Sequence, residues 1–364
     1  TKAYLPFNEK IKLHDFDIKS KSFMKNIEEN LCHNLKQFPS NLKNDMACQL
    51  AIRIQFVFDF LGKANFNPKI FLKYINNVAL ELTALNEMRS AGWYFEEQEK
   101  KSDNLEEKDK WDLTKSAFNF MWPKTTIGAQ HNLSTILAEE RVKQLFKLEP
   151  SMFQNGSFIL DSGCGPARYM KAINELHPGS RFVGLDIGKE IIKTNKQNFS
   201  KEPFKFLHNS FHPLPFKDNT FDTVLSVGVL HHAPVDIEAS VKEHLRVLNK
   251  DGNFFIFIVG EESLEMDMWK LLRSIMRTVD KENAFEYFSK RCIPLRVQGL
   301  MDHCYGEYFL TDKAYFESVV DKYGFIKHIV PGIKGLDVTE EAMEHDDFFT
   351  PRYGQGHLRY ILSK

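Results

Sequence analysis

Apolar residues recur every three or four positions from Ser22 to about Phe120, as in Ile52, Phe56 and Phe60, and again in Phe71, Ile75, Leu80, Leu82 and Leu85. That spacing gathers them on one face of amphipathic helices, so the first third of the chain is expected to be helical. A charged run from Glu96 to Lys110 interrupts it and reads as a solvated loop or an exposed helix face. From Ser157 the texture changes. Short runs rich in β-branched and aromatic residues (SFILDSG, SRFVGLD, FKFLHN, FDTVLSV and NFFIFIV) alternate with polar or helix-periodic stretches. The alternation predicts a parallel sheet flanked by helices. Two final runs, Gly324–Val330 and His357–Ser363, are expected to add a closing antiparallel hairpin at one sheet edge.

Length and charge narrow what such a chain can do. At 364 residues it exceeds one typical domain, which suits a catalytic domain with an extension. Its 48 basic and 49 acidic side chains leave a formal charge of −1, so no global field attracts nucleic acid, and a small or neutral substrate is favoured. Cys32, Cys48, Cys164, Cys292 and Cys304 are scattered, odd in number and without metal-like spacing. They read as free thiols in a reducing cytoplasm, with no metal centre. There is no apolar run of membrane-spanning length and no secretion-signal pattern at the start, so a soluble cytoplasmic protein with no membrane span is expected.

The first candidate chemistry is in Phe158–Arg168, FILDSGCGPAR, an apolar strand that breaks into a glycine turn before the helical run Tyr169–Leu176. Gly163 and Gly165 allow positive φ and close backbone approach, and the helix start that follows offers N–H groups to a ligand. At the end of the next strand stands Asp186, where a carboxylate can accept from both hydroxyls of a ribose. Strand, glycine turn and acidic strand end point to a nucleoside cofactor. They suit a dinucleotide as well as a sulfur nucleoside.

Order and neighbours separate these. The turn follows more than 150 residues, and after it come LPFKDNTFD (Leu214–Asp222), the strand Thr223–Val227, then Val229-Leu230-His231-His232. With these motifs in this order, the stretch from about Thr125 to Lys364 resembles the class I S-adenosylmethionine-dependent methyltransferases, in particular their small-molecule group. The resemblance implies an α/β fold: a Rossmann-like, seven-stranded, mostly parallel sheet with an antiparallel last strand, here behind an N-terminal α-helical extension (residues 1–124). It implies Asp161, Gly163, Cys164 and Gly165 around the methionine part of S-adenosyl-L-methionine, Asp186 on its ribose and Ile187 on its adenine. Asn209 and Ser210 stand where the family usually has Gly-Asp beside the adenine amino group. Gly228 and Val229, with His231, would line the methionine end. Ala167 occupies a position where a third glycine is common, tolerable if it packs helix against strand.

Simpler roles compete at several of these positions. The glycines can form a mere tight turn, Asp186 can cap a helix, and Asp161 can hold the turn through backbone amides. Asp222 reads as structural. His231 and His232 are the candidate catalytic bases, because an imidazole titrates near neutral pH, although either can be a satisfied structural histidine. Glu261, His303, Tyr305 and Tyr308 are further candidates for the substrate pocket, and Phe118–Asn132, with Trp122 and His131, for a lid. The Asn/Asp-Pro-Pro-aromatic run of amino-group methyltransferases acting on nucleic acid or protein glutamine is absent after the fourth strand, and Cys164 lies inside the glycine turn rather than after a proline. A free metabolite is therefore the expected acceptor, with the methylated atom open. Two other functions compete: a non-catalytic methyltransferase-fold binding protein, and a nicotinamide- or sugar-nucleotide enzyme. The N-terminal helices could serve as substrate lid, as homodimer surface or as support for the core.

Overall fold

The computed structural model describes residues 21–38, 40–61, 68–88, 107–125, 129–232, 234–261, 264–276, 279–292, 294–333 and 355–364. Seven strands form one sheet: β1 (Phe158–Ser162), β2 (Arg181–Asp186), β3 (Phe204–His208), β4 (Phe221–Val227), β5 (Leu248–Val259), β6 (Phe325–Ile329) and β7 (His357–Ser363). Their order is β3-β2-β1-β4-β5-β7-β6. Neighbours from β3 to β5 are parallel, and β7 runs antiparallel to both β5 and β6. The expected Rossmann-like, mostly parallel sheet with an antiparallel last strand is what forms. Only the hairpin's placing is refined, since β7 sits between β5 and β6 and β6 takes the edge.

The central strands read as continuous apolar runs because both faces are covered. Within β5, Phe255 points to one side and Phe254, Ile256 and Ile258 to the other. The first side packs against α5 (Ala129–Leu148), α6 (Arg168–Leu176) and α7 (Lys189–Asn198) through Val142, Leu145, Ile173 and Ile192. The second packs against α8 (Ile237–Val247) and α12 (Lys313–Tyr323) through Val241, Leu245, Phe316 and Val319. Each such aliphatic or aromatic side chain taken out of water stabilises by roughly 1.5–3 kcal/mol.

A third core lies beyond the sheet. It joins the N-terminal helices α1 (Lys21–Lys36), α2 (Ser40–Leu61) and α3 (Pro68–Met88) to α9 (Leu264–Met276), α10 (Lys281–Arg291) and α11 (Pro294–Tyr305). Leu31, Ile54, Phe58 and Phe71 meet Leu272, Met276, Phe288 and Leu300 there. The helical cap is thus built from helices that precede the sheet and from an insertion between β5 and β6, which the periodicity of the N-terminal third does not reveal. The apolar face of α2 also differs from the expected Ile52–Phe56–Phe60 stripe. Phe56 is 58 % exposed, while Ala47, Ala51, Ile54 and Phe58 are buried. Apolar residues lie on more than one face of this helix, so spacing alone did not select its inner face. Likewise Phe71, Ile75 and Leu82 are buried, whereas Leu80 is exposed. Most of the charged run, residues 96–106, lies outside the described residues, and its end enters α4 (Glu107–Thr125). Among the described residues no helix is long and apolar enough to cross a membrane.

Candidate active site

Strand β1 ends in the turn Gly163-Cys164-Gly165. Gly163 has φ +84° and its missing Cβ would come within 2.3 Å of the Val229 side chain, so only glycine fits. Gly165 has φ +46° and nothing within 4 Å of the place a Cβ would take, which leaves its backbone open to the cavity described below. The N–H groups of Gly163 and Cys164 both donate to the Leu185 carbonyl, at 2.7 and 2.9 Å. Ala167 follows at φ +58° and forms the N-cap of α6 without a side-chain bond. A third glycine is favoured at that position by its left-handed backbone, not merely by helix-strand packing.

Asp186 closes the turn from the neighbouring strand. Its two oxygens accept from Gly165 N–H at 2.9 Å and Gly188 N–H at 2.8 Å. The bond to the turn that Asp161 was a candidate to make is therefore made by Asp186, whose other oxygen holds the N–H of Gly188, the N-cap residue of α7; that helix has no side-chain cap. A carboxylate has about four lone-pair sites, so these two bonds leave room for two hydroxyl donors. Burial raises the Asp186 carboxyl above its usual range, against the pull of those N–H groups. Asp161 is buried, and burial together with Asp186 pushes it up to about 7, with Arg168 opposing. The Cys164 thiol is driven far up by burial and lies against Asn195 and the Gly165 carbonyl, as expected of a small buried thiol. No disulfide joins any two of the five cysteines.

After β3, Asn209 donates its N–H to the Asp186 carbonyl, and its side-chain oxygen accepts from Ser210 N–H at 2.9 Å. Ser210 Oγ in turn accepts from His212 N–H at 3.2 Å. Both side chains thus shape their own loop. Asp222 does the same for the strand mouth, accepting from Phe158 N–H and from the Asn249 amide.

After β4 the chain turns at Gly228, φ +70°, into a short 3-10 turn, Leu230–His232. The two histidines are buried but held in opposite senses. His231 Nδ1 accepts from Val259 N–H at 3.3 Å, so in the neutral ring Nε2 carries the proton. His232 Nδ1 stands 2.9 Å from the Glu307 carbonyl, an acceptor only, so here Nδ1 carries the proton and Nε2 the lone pair. Burial holds both rings below the ordinary imidazole range, His231 furthest because His232 and His357 add to the effect.

One cavity of about 340 Å³ connects these parts. Its sheet end is lined by Asp161, Gly163, Cys164, Gly165, Asp186, Ile187 and Asn209, and its middle by Gly228 and Val229. Its cap end is lined by His231, His232, His303 and Tyr308, with Trp269, Gln298 and Asp302, and strand β7 adds His357 and Arg359; sequence reasoning missed these last five. Ser210 is not among the lining residues. Glu261 lies in a separate surface pocket with Asp312 and Tyr315, and the Tyr305 hydroxyl is turned away to the Val279 carbonyl. Phe118 of the predicted lid reaches the cavity and packs edge-on to His232 at 4.9 Å. The side chains of Trp122 and His131 lie outside the described residues. At the cap end the rings of His303, Trp269, Tyr308 and His231 follow one another with centroids 4.1, 4.8 and 5.4 Å apart. Among the described residues no cluster of His, Cys, Asp or Glu is placed to hold a metal ion.

Residues 160–256 match the family model of a methyltransferase domain. The chain is 37 % identical over 108 residues to an uncharacterized protein of Methanocaldococcus jannaschii, MJ1252, covering 29 % of this chain and 38 % of that one. It is 32 % identical over 133 residues to 24-methylenesterol C-methyltransferase 3 of Arabidopsis thaliana, 35 % of each chain. With sterol 24-C-methyltransferase erg6 of Schizosaccharomyces pombe it shares 27 % identity over 184 residues, 45 % of this chain and 48 % of the relative. The chain thus spans less than half the length of each of these three relatives. A solved structure of a putative methyltransferase in complex with the Haloferax volcanii Trm112 methyltransferase activator aligns with a TM-score of 0.45 at 16 % identity, over 68 % of this chain and 96 % of that one.

Proposed function

We propose, from the premise that residues 160–256 form an S-adenosylmethionine-dependent methyltransferase domain, that the chain transfers a methyl group to a small-molecule acceptor. The observation that carries this reading is the single cavity that begins at an open glycine turn and ends in a buried, ring-lined chamber. When bound, S-adenosyl-L-methionine supplies a sulfonium methyl already activated for displacement. The site fits it. Gly165 leaves backbone surface that a Cβ would cover, Asp186 retains acceptor capacity for two ribose hydroxyls, and Asp161 offers a buried carboxylate to an ammonium. Ile187 and Asn209 would bound the adenine, and Cys164, Gly228 and Val229 the methionine end, with Ser210 supporting that loop from behind.

What the rest of the chain must do is align an acceptor, exclude water and remove a proton where the acceptor carries one. The helical cap, with Phe118, Trp269 and Tyr308 over the chamber, serves the exclusion of water. His231 and His232 are titratable groups of the cap end that follow Gly228 and Val229 directly in sequence. The balanced overall charge of the chain, 48 basic against 49 acidic residues, supports a metabolite rather than a nucleic acid.

Calorimetry with S-adenosylmethionine, S-adenosylhomocysteine and NAD tests the reading. Both sulfur nucleosides should bind and NAD should not. Asp186→Ala should weaken binding about ten- to a hundredfold, since hydrogen bonds to a carboxylate contribute roughly 1.5–3 kcal/mol. NAD binding in place of the sulfur nucleosides would move the site to the nicotinamide enzymes. Binding of the sulfur nucleosides with no transfer to any acceptor would make the chain a non-catalytic member of the fold.

A further inference from the structure

At the cap end two hydrogen-bond acceptors face each other with no donor between them. His232 Nε2 holds a lone pair, because Nδ1 is committed as donor to the Glu307 carbonyl. Asp302 Oδ1, on α11, lies 3.9 Å from that nitrogen, beyond hydrogen-bond range. That oxygen is buried and has no hydrogen-bond partner among the described residues, while the Tyr308 hydroxyl donates to the carboxylate. The nearest guanidinium, Arg273 of α9, is engaged at 3.5 Å with Glu307 and lies over the Tyr308 ring. A buried carboxylate oxygen without a donor is costly, and a neutral imidazole beside it supplies none.

Donor counting selects what would satisfy this pair. A thioether or an alkene brings no donor, and a hydroxyl brings one. An ammonium group brings two or three N–H donors and the positive charge that the Asp302 carboxylate lacks. His232 and Asp302 both line the cavity, and the rings of Phe118, edge-on, and Tyr308, 4.6 Å away, flank the imidazole. His231 cannot take the same part, since its Nδ1 is occupied by Val259 N–H and its Nε2 carries the proton.

We propose that the acceptor is a primary or secondary amine, received as the ammonium by Asp302 and His232, with His232 Nε2 as the base. The proposal rests on the methyl-donor reading above. The ammonium nitrogen gives one proton to His232 Nε2, and its freed lone pair forms the new N–CH3 bond. The S–CH3 bond breaks with its electron pair left on sulfur. The proton then sits on His232 facing Asp302, whose charge stabilises the imidazolium until solvent removes it. The groups that set this titration are Asp302 on α11, Arg273 on α9, the Tyr308 hydroxyl, His231 and the Glu307 carbonyl, and α4 contributes the Phe118 ring. Asp302 is itself raised by burial, against His232, Tyr308 and Arg273. Amine binding should therefore weaken on acidification as Asp302 takes up a proton.

The test is binding to the protein saturated with S-adenosylhomocysteine. Matched pairs run from ethylamine and ethanol to 2-phenylethylamine and 2-phenylethanol. The amine of at least one pair should bind at least about tenfold more tightly than its alcohol, and Asp302→Asn should erase that preference while leaving S-adenosylhomocysteine affinity unchanged. His232→Gln should retain amine binding and lose transfer by about a hundredfold or more, in kcat rather than KM. The wild-type protein gives a measure independent of variant folding: amine titration should shift the His232 Nε2 signal in nitrogen-15 spectra and leave Nδ1 protonated. Equal or better binding of alcohols, no amine binding in the presence of bound S-adenosylhomocysteine, or an unmoved His232 signal would overturn the proposal. Failure of S-adenosylhomocysteine itself to bind would instead overturn the methyl-donor reading on which it rests.

Discussion

The two ends of the cavity are built in different ways. The sheet end is made of short segments at the carboxyl ends of β1, β2 and β3, and much of its shape is backbone: two glycines at positive φ and N–H groups tied to Leu185 and Asp186. The cap end is made of side chains from segments far apart in sequence. His303 Nδ1, for example, meets Gln55 Oε1 at 3.0 Å across 248 residues. A backbone-built site holds an invariant ligand, whereas a side-chain-built one can be re-aimed by substitution without disturbing the sheet. The difference accords with a common donor at one end and a particular acceptor at the other.

Separating the two ends experimentally sharpens this division. The largest effect is expected in the cap core, where Phe288→Ala removes a fully buried ring and should cost about 3–5 kcal/mol in denaturant unfolding. If the ends are independent, S-adenosylhomocysteine affinity should change little at temperatures where the variant is folded. Next is the glycine turn. Gly163→Ala forces a methyl group into Val229 at a left-handed backbone and should cost at least about 2 kcal/mol. Gly165→Ala meets no atom, so it should lose only about 1–2 kcal/mol of stability yet bind S-adenosylhomocysteine at least about tenfold more weakly by calorimetry. Equal behaviour of the two variants would break the distinction between a packed and an open glycine.

A smaller effect comes from pH. Asp161 is pushed up to about 7, so its carboxylate is present above that pH and lost below it. If that charge faces the ammonium of the donor, affinity should fall about tenfold between pH 8 and pH 6, and Asp161→Asn should flatten the profile. The smallest change is at the N-cap of α6. Ala167→Gly relieves a left-handed alanine, partly offset by glycine's greater freedom when unfolded, and should stabilise by about 0.5–1 kcal/mol in thermal unfolding.

The same division explains what was legible in the sequence. All seven strands, the glycine turn, Asp186 and the two histidines follow from local pattern, because each depends on neighbours within a few residues. The cap end did not follow. Trp269, Gln298 and Asp302 stand in ordinary apolar or polar patterns, and only long-range packing brings them to the cavity. Helical periodicity could identify α2 as a helix but not choose between two apolar faces. Ser210 stood next to the cavity in sequence, yet its hydroxyl closes its own loop. The left-handed backbone of Ala167 has no signal in the side chain at all.

The central claim, that the glycine turn and Asp186 hold the donor while the histidines face its reacting end, is tested most directly by a crystal structure of the S-adenosylhomocysteine complex. The account predicts both ribose hydroxyls on the Asp186 carboxylate, the amino acid part over Gly165, and the sulfur directed toward the chamber of His231 and His232. A ribose held elsewhere, or a sulfur facing away from the histidines, would contradict it.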